Sequence, residues 1–282
     1  MNLPYYEKST VNACRMQGNR RGESTRGVRQ PDRTVFRLLI VMGSAIAAIA
    51  AGCALPDPTV LYIAFGDSAT AGATSPAYPE LLRQRLGEDV RTFVNEGDDG
   101  ENSGQGVERL DGLLSQDLYP NAIALFYWEG GNDIVEFIRA HDPLFLLCPD
   151  DVNYPFTTAL NAALDATQAN IEDAIQLGRN AGLTVFVATY FALPETIIQC
   201  DALLLNVLLP AQTRWSNVYV EMLNDRIRSA AAAQGAILVD VAAMNAVIQA
   251  DGANYADCNH LSTQGNDIVA GLFADAVTAS GI

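Results

Sequence analysis

Five short apolar runs punctuate the chain, and helical spacing fills the gaps between them. The runs are Val60 to Phe65, Val90 to Val94, Ala122 to Trp128, Leu183 to Tyr190 and Ala236 to Val241. The first, rich in β-branched and aromatic residues and stopped by turn formers, has the pattern of a buried strand, and the others read as strands as well. Between them Pro79 to Leu86, Val107 to Leu114, Thr157 to Arg179, Thr213 to Ala233 and Thr263 to Ala279 read as helices. In the third, Leu160, Leu164, Ile171 and Ile175 fall on one stripe. Strands alternating with helices predict an α/β fold, a three-layer α/β/α sandwich around a central, mainly parallel five-stranded sheet. Two stretches, Ile134 to Pro155 and Phe191 to Pro210, fit neither period and read as irregular inserts. The second is markedly apolar from Leu203 to Leu209, a run expected to serve as core rather than lid. No internal repeat and no second domain emerges.

The first 52 residues follow a different pattern. Arg33 and Arg37 precede the apolar run Leu38 to Gly52, which ends in small residues before Cys53. The run is short and alanine-rich for a membrane span, which needs ~20 apolar residues, and it fits an export signal. Ala50-Ala51-Gly52-Cys53 resembles the bacterial lipobox, although Ala50 stands where leucine is usual. The expected organisation is a lipoprotein-type signal peptide over 1–52, a lipidated Cys53 opening a tether over 53–58, and one domain over 59–282. A plain signal peptide or an uncut anchor is the alternative, and Met16 is an alternative start.

Charge separates the same two regions. The net charge is −16, yet Arg15, Arg20, Arg21, Arg26, Arg29, Arg33 and Arg37 lie in the leader, and no lysine follows Lys8. So acidic a mature surface repels nucleic acid and anionic headgroups. In an oxidising compartment Cys148, Cys200 and Cys258 remain, and an odd number leaves one over. Cys148 and Cys200, both in inserts, are expected to pair, with Cys258 a competitor for either. The only histidines are His141 and His260, and no Cys-x-x-Cys occurs, so no zinc site is expected.

Candidate chemistry sits where the runs end. Gly66-Asp67-Ser68 closes the first, and a small hydroxyl on a sharp turn at the carboxyl end of a strand lies where α/β folds place ligands. After the fifth comes Asp257-Cys258-Asn259-His260. If that segment curls, Asp257 holds one imidazole nitrogen and frees the other as a base for Ser68, whose hydroxyl is otherwise a poor nucleophile. Acyl transfer also needs donors where negative charge develops. Candidates are the Ser68 N–H, a backbone N–H in the glycine-rich stretch Asn95 to Gly106, and the Asn132 side chain. Asp133 fits a bracing role better than a chemical one.

The set resembles the GDSL/SGNH hydrolase superfamily. Its blocks are matched by Gly66-Asp67-Ser68, by Asn95 through Gly106, by Gly130-Gly131-Asn132-Asp133 and by Asp257 to His260. The resemblance implies the SGNH-hydrolase, flavodoxin-like sandwich, with Ser68 as nucleophile, His260 as base and Asp257 as orienting acid. It implies an oxyanion hole of Ser68, Gly100 and Asn132, with Gly97 competing with Gly100, and it implies neither metal nor cofactor. The expected activity is hydrolysis of short acyl, aryl or lipid carboxylic esters through an acyl-enzyme. Alternatives are a carbohydrate O-acetyl esterase and a non-catalytic surface binding lipoprotein. The expected partners are a small-molecule ester and, through Cys53, a membrane, with no nucleic acid and no obligate protein partner. Glu96, Asp98, Asp99 and Glu101 make the glycine block unusually acidic for a site that must stabilise an anion.

Overall fold

The computed structural model describes residues 55–201 and 206–282. The expected signal segment, Cys53 and part of the Leu203 to Leu209 run lie outside the described residues. Within them the five apolar runs become strands: β1 (Tyr62–Gly66), β2 (Phe93–Gly97), β3 (Ala124–Trp128), β4 (Thr184–Ala188) and, later in the chain, β7 (Ile237–Val239). They pair in parallel in the order β2-β1-β3-β4-β7. The sheet changes direction of winding at β1 and β3, so their carboxyl ends border the crevice where open α/β sheets bind ligands.

The helices are α1 (Ser68–Ala71), α2 (Tyr78–Leu86), α3 (Ser103–Ser115), α4 (Gly131–His141), α5 (Thr157–Asn180), α6 (Pro210–Gln234), α7 (Asn245–Ile248) and α8 (Thr263–Ser280). Every residue of β1 and β3 is buried, as a sheet covered on both faces requires. On one face Phe93, Phe126 and Phe186 form a row, with centroids 5.6 Å and 5.1 Å apart, that α8 closes through Phe273. Burying each such ring contributes roughly 1.5–3 kcal/mol.

Two sequence expectations are corrected. Ile134 to Pro155 is not wholly irregular: α4 runs from Gly131 to His141, burying Ile134, Phe137 and Ile138 on one face. That stripe has helical spacing but covers barely two turns before Asp142-Pro143, too short to stand out as a period. His141 is accordingly a helix residue, its ring stacked 4.3 Å from that of Phe137. The second insert also has regular structure, an antiparallel pair of β5 (Ile198–Cys200) and β6 (Asn206–Leu208).

The expected Cys148–Cys200 bond is wrong. Cys200 is bonded to Cys258, 58 residues on, and Cys148 is a free thiol that donates to Asp150. The reason is local: the Cys258 N–H donates to the Gln199 carbonyl at 2.8 Å, which sets the two backbones side by side. Their Cα atoms are 4.9 Å apart, within disulfide reach.

Candidate active site

Ser68 is the first residue of α1, immediately after β1. Asp67 caps that helix, its Oδ1 accepting from the Ala69 N–H at 2.8 Å and its Oδ2 from the Tyr190 hydroxyl at 2.7 Å. The turn needs glycine at its base. A Cβ on Gly66 would lie 2.2 Å from the Trp128 carbonyl oxygen, so β1 and β3 could not close beneath the serine.

Across the crevice, the segment before α8 curls as expected. Asp257 Oδ1 accepts from the backbone N–H groups of Asn259 and His260, and its carboxylate meets His260 Nδ1 at 2.9–3.0 Å. His260 Nε2 lies 2.9 Å from Ser68 Oγ. Residues 192 apart in sequence thus form a hydroxyl–imidazole–carboxylate relay.

The electrostatics match that order. Hydrogen bonding to Asp257 holds the His260 pKa above its ordinary value against burial, with Asp257, Asp67 and Asp99 adding to the rise. Burial opposes ionisation of Asp257, but the bonds from His260 and the Asn259 N–H outweigh it and hold its pKa below the carboxylate range. Asp67 goes the other way. Burial lifts its pKa to about 6 despite the bonds from Tyr190 and Ala69.

Asn132 is tied to the glycine-rich loop. Asn132, in the first turn of α4, gives one amide N–H to the Glu101 carbonyl at 2.8 Å. This brings the amide beside the Gly100–Glu101 turn and leaves its second N–H for another acceptor. Asp133 braces the same junction, its carboxylate accepting from the Ser103 N–H, the Ser103 hydroxyl and the Thr167 hydroxyl. Gly97 and Gly100 differ in their surroundings. A Cβ on Gly97 would lie 2.0 Å from the Ala71 nitrogen, so this glycine is needed for packing against α1. Gly100 has open space around it and a φ of +81°, which turns the chain at the loop tip.

Two carboxylates of the acidic block are held by Arg109 and Tyr119. Glu101 is buried and held through both oxygens by Arg109, at 2.7 Å and 2.5 Å, while the guanidinium lies 3.9 Å over the Phe65 ring. Glu96 accepts from Tyr119 and faces Arg109. Asp98 and Asp99 point to solvent. Glu129 is buried beside this group, and burial together with Asp67 and Glu101 raises its pKa well above the carboxylate range. Sequence reasoning missed Arg109, Glu129 and Tyr190. Arg109, a lone cation next to Leu110 on the inner side of α3, was the one visible signal.

A cavity of about 90 Å³ adjoins Ser68 and Asn132. Among the described residues, no cluster of His, Cys, Asp and Glu could hold a metal ion, and no helix is long and apolar enough to cross a membrane.

Comparison with curated proteins finds none that matches. Among solved structures the chain is similar to TesA, with 21% identity and a TM-score of 0.53 over 78% of this chain and 98% of that one. It is also similar to a lipase/acylhydrolase from Enterococcus faecalis, with 20% identity and a TM-score of 0.52 over 78% and 96% of the two chains. The acetyl xylan esterase AlAXEase gives 22% identity and a TM-score of 0.50 over 77% and 100%. These likenesses agree with the fold. The model of the GDSL-like lipase/acylhydrolase family matches residues 64–268, an interval that runs from β1 through both halves of the relay, and the chain belongs to that family.

Proposed function

We propose that the protein is a serine ester hydrolase that cleaves carboxylic esters of short acyl, aryl or lipid type through an acyl-enzyme. The observation that carries this reading is the 2.9 Å contact between His260 Nε2 and Ser68 Oγ, with Asp257 on the far nitrogen. Ser68 Oγ attacks the ester carbonyl carbon as His260 takes its proton. The resulting oxyanion is held by the N–H groups of Ser68 and Gly100 and the free amide N–H of Asn132. His260 then gives its proton to the departing alkoxide oxygen, leaving Ser68 acylated. Water, deprotonated by His260, attacks the acyl carbon, and collapse of the second tetrahedral adduct returns the proton to Ser68 and releases the acid.

Hydrolysis of p-nitrophenyl esters by the purified protein, beside Ser68→Ala, tests the mechanism. Loss of a nucleophile in such a unit lowers kcat by roughly 10⁴–10⁶. Activity that survives the substitution removes the mechanism, and a wild type inert on every ester favours a binding protein. Acetylated xylan belongs in the panel because the fold is shared with AlAXEase.

The leader supports export and anchoring at an envelope membrane through a lipidated Cys53. Incorporation of labelled palmitate, lost in Cys53→Ser, is the expected result; retained label counts against it.

A further inference from the structure

Among the described residues, both carboxyl oxygens of Glu129 are buried and reach no hydrogen-bond donor. Glu129 directly follows β3 and stands three residues before Asn132. Its carboxyl packs on α3, where a Cβ on Gly106 would lie 3.3 Å from Glu129 Cδ. Its neighbour is the Glu101 carboxyl, which is also buried. Arg109 does not serve both. Its Nε and Nη2 are on Glu101, Nη2 also lies 3.5 Å from the Gly66 carbonyl oxygen, and Nη1 faces Glu96 at 3.7 Å. Two buried carboxyls side by side, with the one guanidinium already bound to the second, do not both ionise. A proton on Glu129 resolves the arrangement. Its O–H then donates to Glu101, whose carboxylate has lone pairs beyond those that Arg109 fills.

We propose that Glu129 is a positioning residue, protonated in the working enzyme, whose O–H bond to Glu101 fixes the turn that seats Asn132. The proposal rests on the ester-hydrolase reading above. The linkage is short and closed. Glu129 begins the segment that carries Asn132, and Asn132 donates to the Glu101 backbone carbonyl at 2.8 Å. Glu129 and Asn132 thus grip the same residue, one by its side chain and one by its backbone, and together they clamp the Gly100–Glu101 turn against the start of α4. Ionised, Glu129 would repel Glu101 and push on the turn that presents the oxyanion donors. Asp67, from the turn before α1, and Glu101 both favour the proton on Glu129, and Arg109 of α3 opposes it. Tyr127 and Tyr190 also face this carboxyl, and burial holds both phenols well above their ordinary pKa, so they stay neutral.

The test compares wild type, Glu129→Gln and Glu129→Met. At neutral pH the infrared difference spectrum of wild type against Glu129→Gln should show the C=O stretch of a carboxylic acid. A carboxylate band in its place overturns the proposal, and this measurement needs no turnover. Glu129→Gln keeps an uncharged donor toward Glu101, so kcat on p-nitrophenyl acetate should stay within about threefold of wild type. Glu129→Met fills the space without a donor and should lower kcat by about 10²-fold with KM within about twofold, the cost of a 1 Å misplacement at a catalytic group. Equal losses in the two variants, or none in Glu129→Met, overturn the positioning role while leaving the hydrolase reading intact. If Glu129→Met does not fold, the spectrum and the Glu129→Gln rate decide: a 10²-fold loss in Glu129→Gln overturns the role. Hydrolysis that persists in Ser68→Ala, or no hydrolysis by wild type, overturns the hydrolase reading and the positioning role with it.

Discussion

The two sides of the crevice are built from opposite materials. On one, the β2–α3 loop and its supports crowd Glu96, Glu101, Glu129 and Arg109 behind the donor groups. On the other, α4, α6 and the β5–β6 hairpin present aliphatic side chains, tied down by Cys200–Cys258. The polar side sets one cation among several carboxylates: Arg109 holds Glu101 and faces Glu96, Tyr119 donates to Glu96, and burial raises the pKa of Glu129 far above the carboxylate range. Under the proposed hydrolysis, the apolar side would bear on what is admitted more than on the chemical step. Rate and selectivity are thus separable, and substitutions on each side should move one without the other.

The largest expected effect lies on the apolar side. Closing a loop of 58 residues, Cys200–Cys258 contributes about 4 kcal/mol through the unfolded chain. The paired Cys200→Ser, Cys258→Ser variant should lose stability on that order in denaturant melts. Its ester-length optimum should broaden as the hairpin loosens. If stability falls and the optimum stays as sharp as in wild type, the disulfide is a staple alone and the wall does not depend on it.

Next comes the polar side. Asn132→Ala removes one donor, which costs about 10²–10³ in kcat. The loss should be uniform from acetate to octanoate, with KM little changed. A loss that grows with chain length would show that Asn132 shapes the cavity it also lines, and the two sides would not be separable.

The contrast also marks what could be read without coordinates. The sheet was legible because β1, β3 and β4 are apolar runs, and the Ser68–His260 pairing was legible from the Gly66-Asp67-Ser68 turn and the Asp257–His260 spacing. The different surroundings of Gly97, packed against Ala71, and Gly100, open on all sides, needed geometry. α4 was hidden by its brevity. The disulfide was misjudged because both inserts look alike in composition, and only the backbone bond between Cys258 and Gln199 picks the partner. The pairing of Glu96 and Glu101 with Arg109 was illegible for a related reason. A carboxylate's effect depends on what it touches, and Glu101 and Asp99, two residues apart, face an arginine and solvent respectively.

That last pair gives the smallest effect and the sharpest separation of buried from exposed charge. His260 acts as a base only when neutral, so kcat/KM should rise with pH through a limb whose midpoint lies above the ordinary histidine value of 6.5. Asp257 and Asp67 sustain that rise from within the site, and Asp99 adds to it from an exposed position. Asp99→Asn should therefore move the limb downward at low salt. At 1 M salt, where the screening length is about 3 Å, the wild-type and variant limbs should coincide. Stability runs opposite to activity across this range. A histidine pKa raised in the fold stabilises it fully below the unfolded value, and that contribution is lost as pH climbs through the folded one. The pH that makes the base competent is thus the pH at which its charge pairing with Asp257 stops supporting the fold. Asp99→Asn should shift both curves together. If the activity limb moves while the stability curve stays in place, Asp99 acts on the substrate's approach and not on the imidazole.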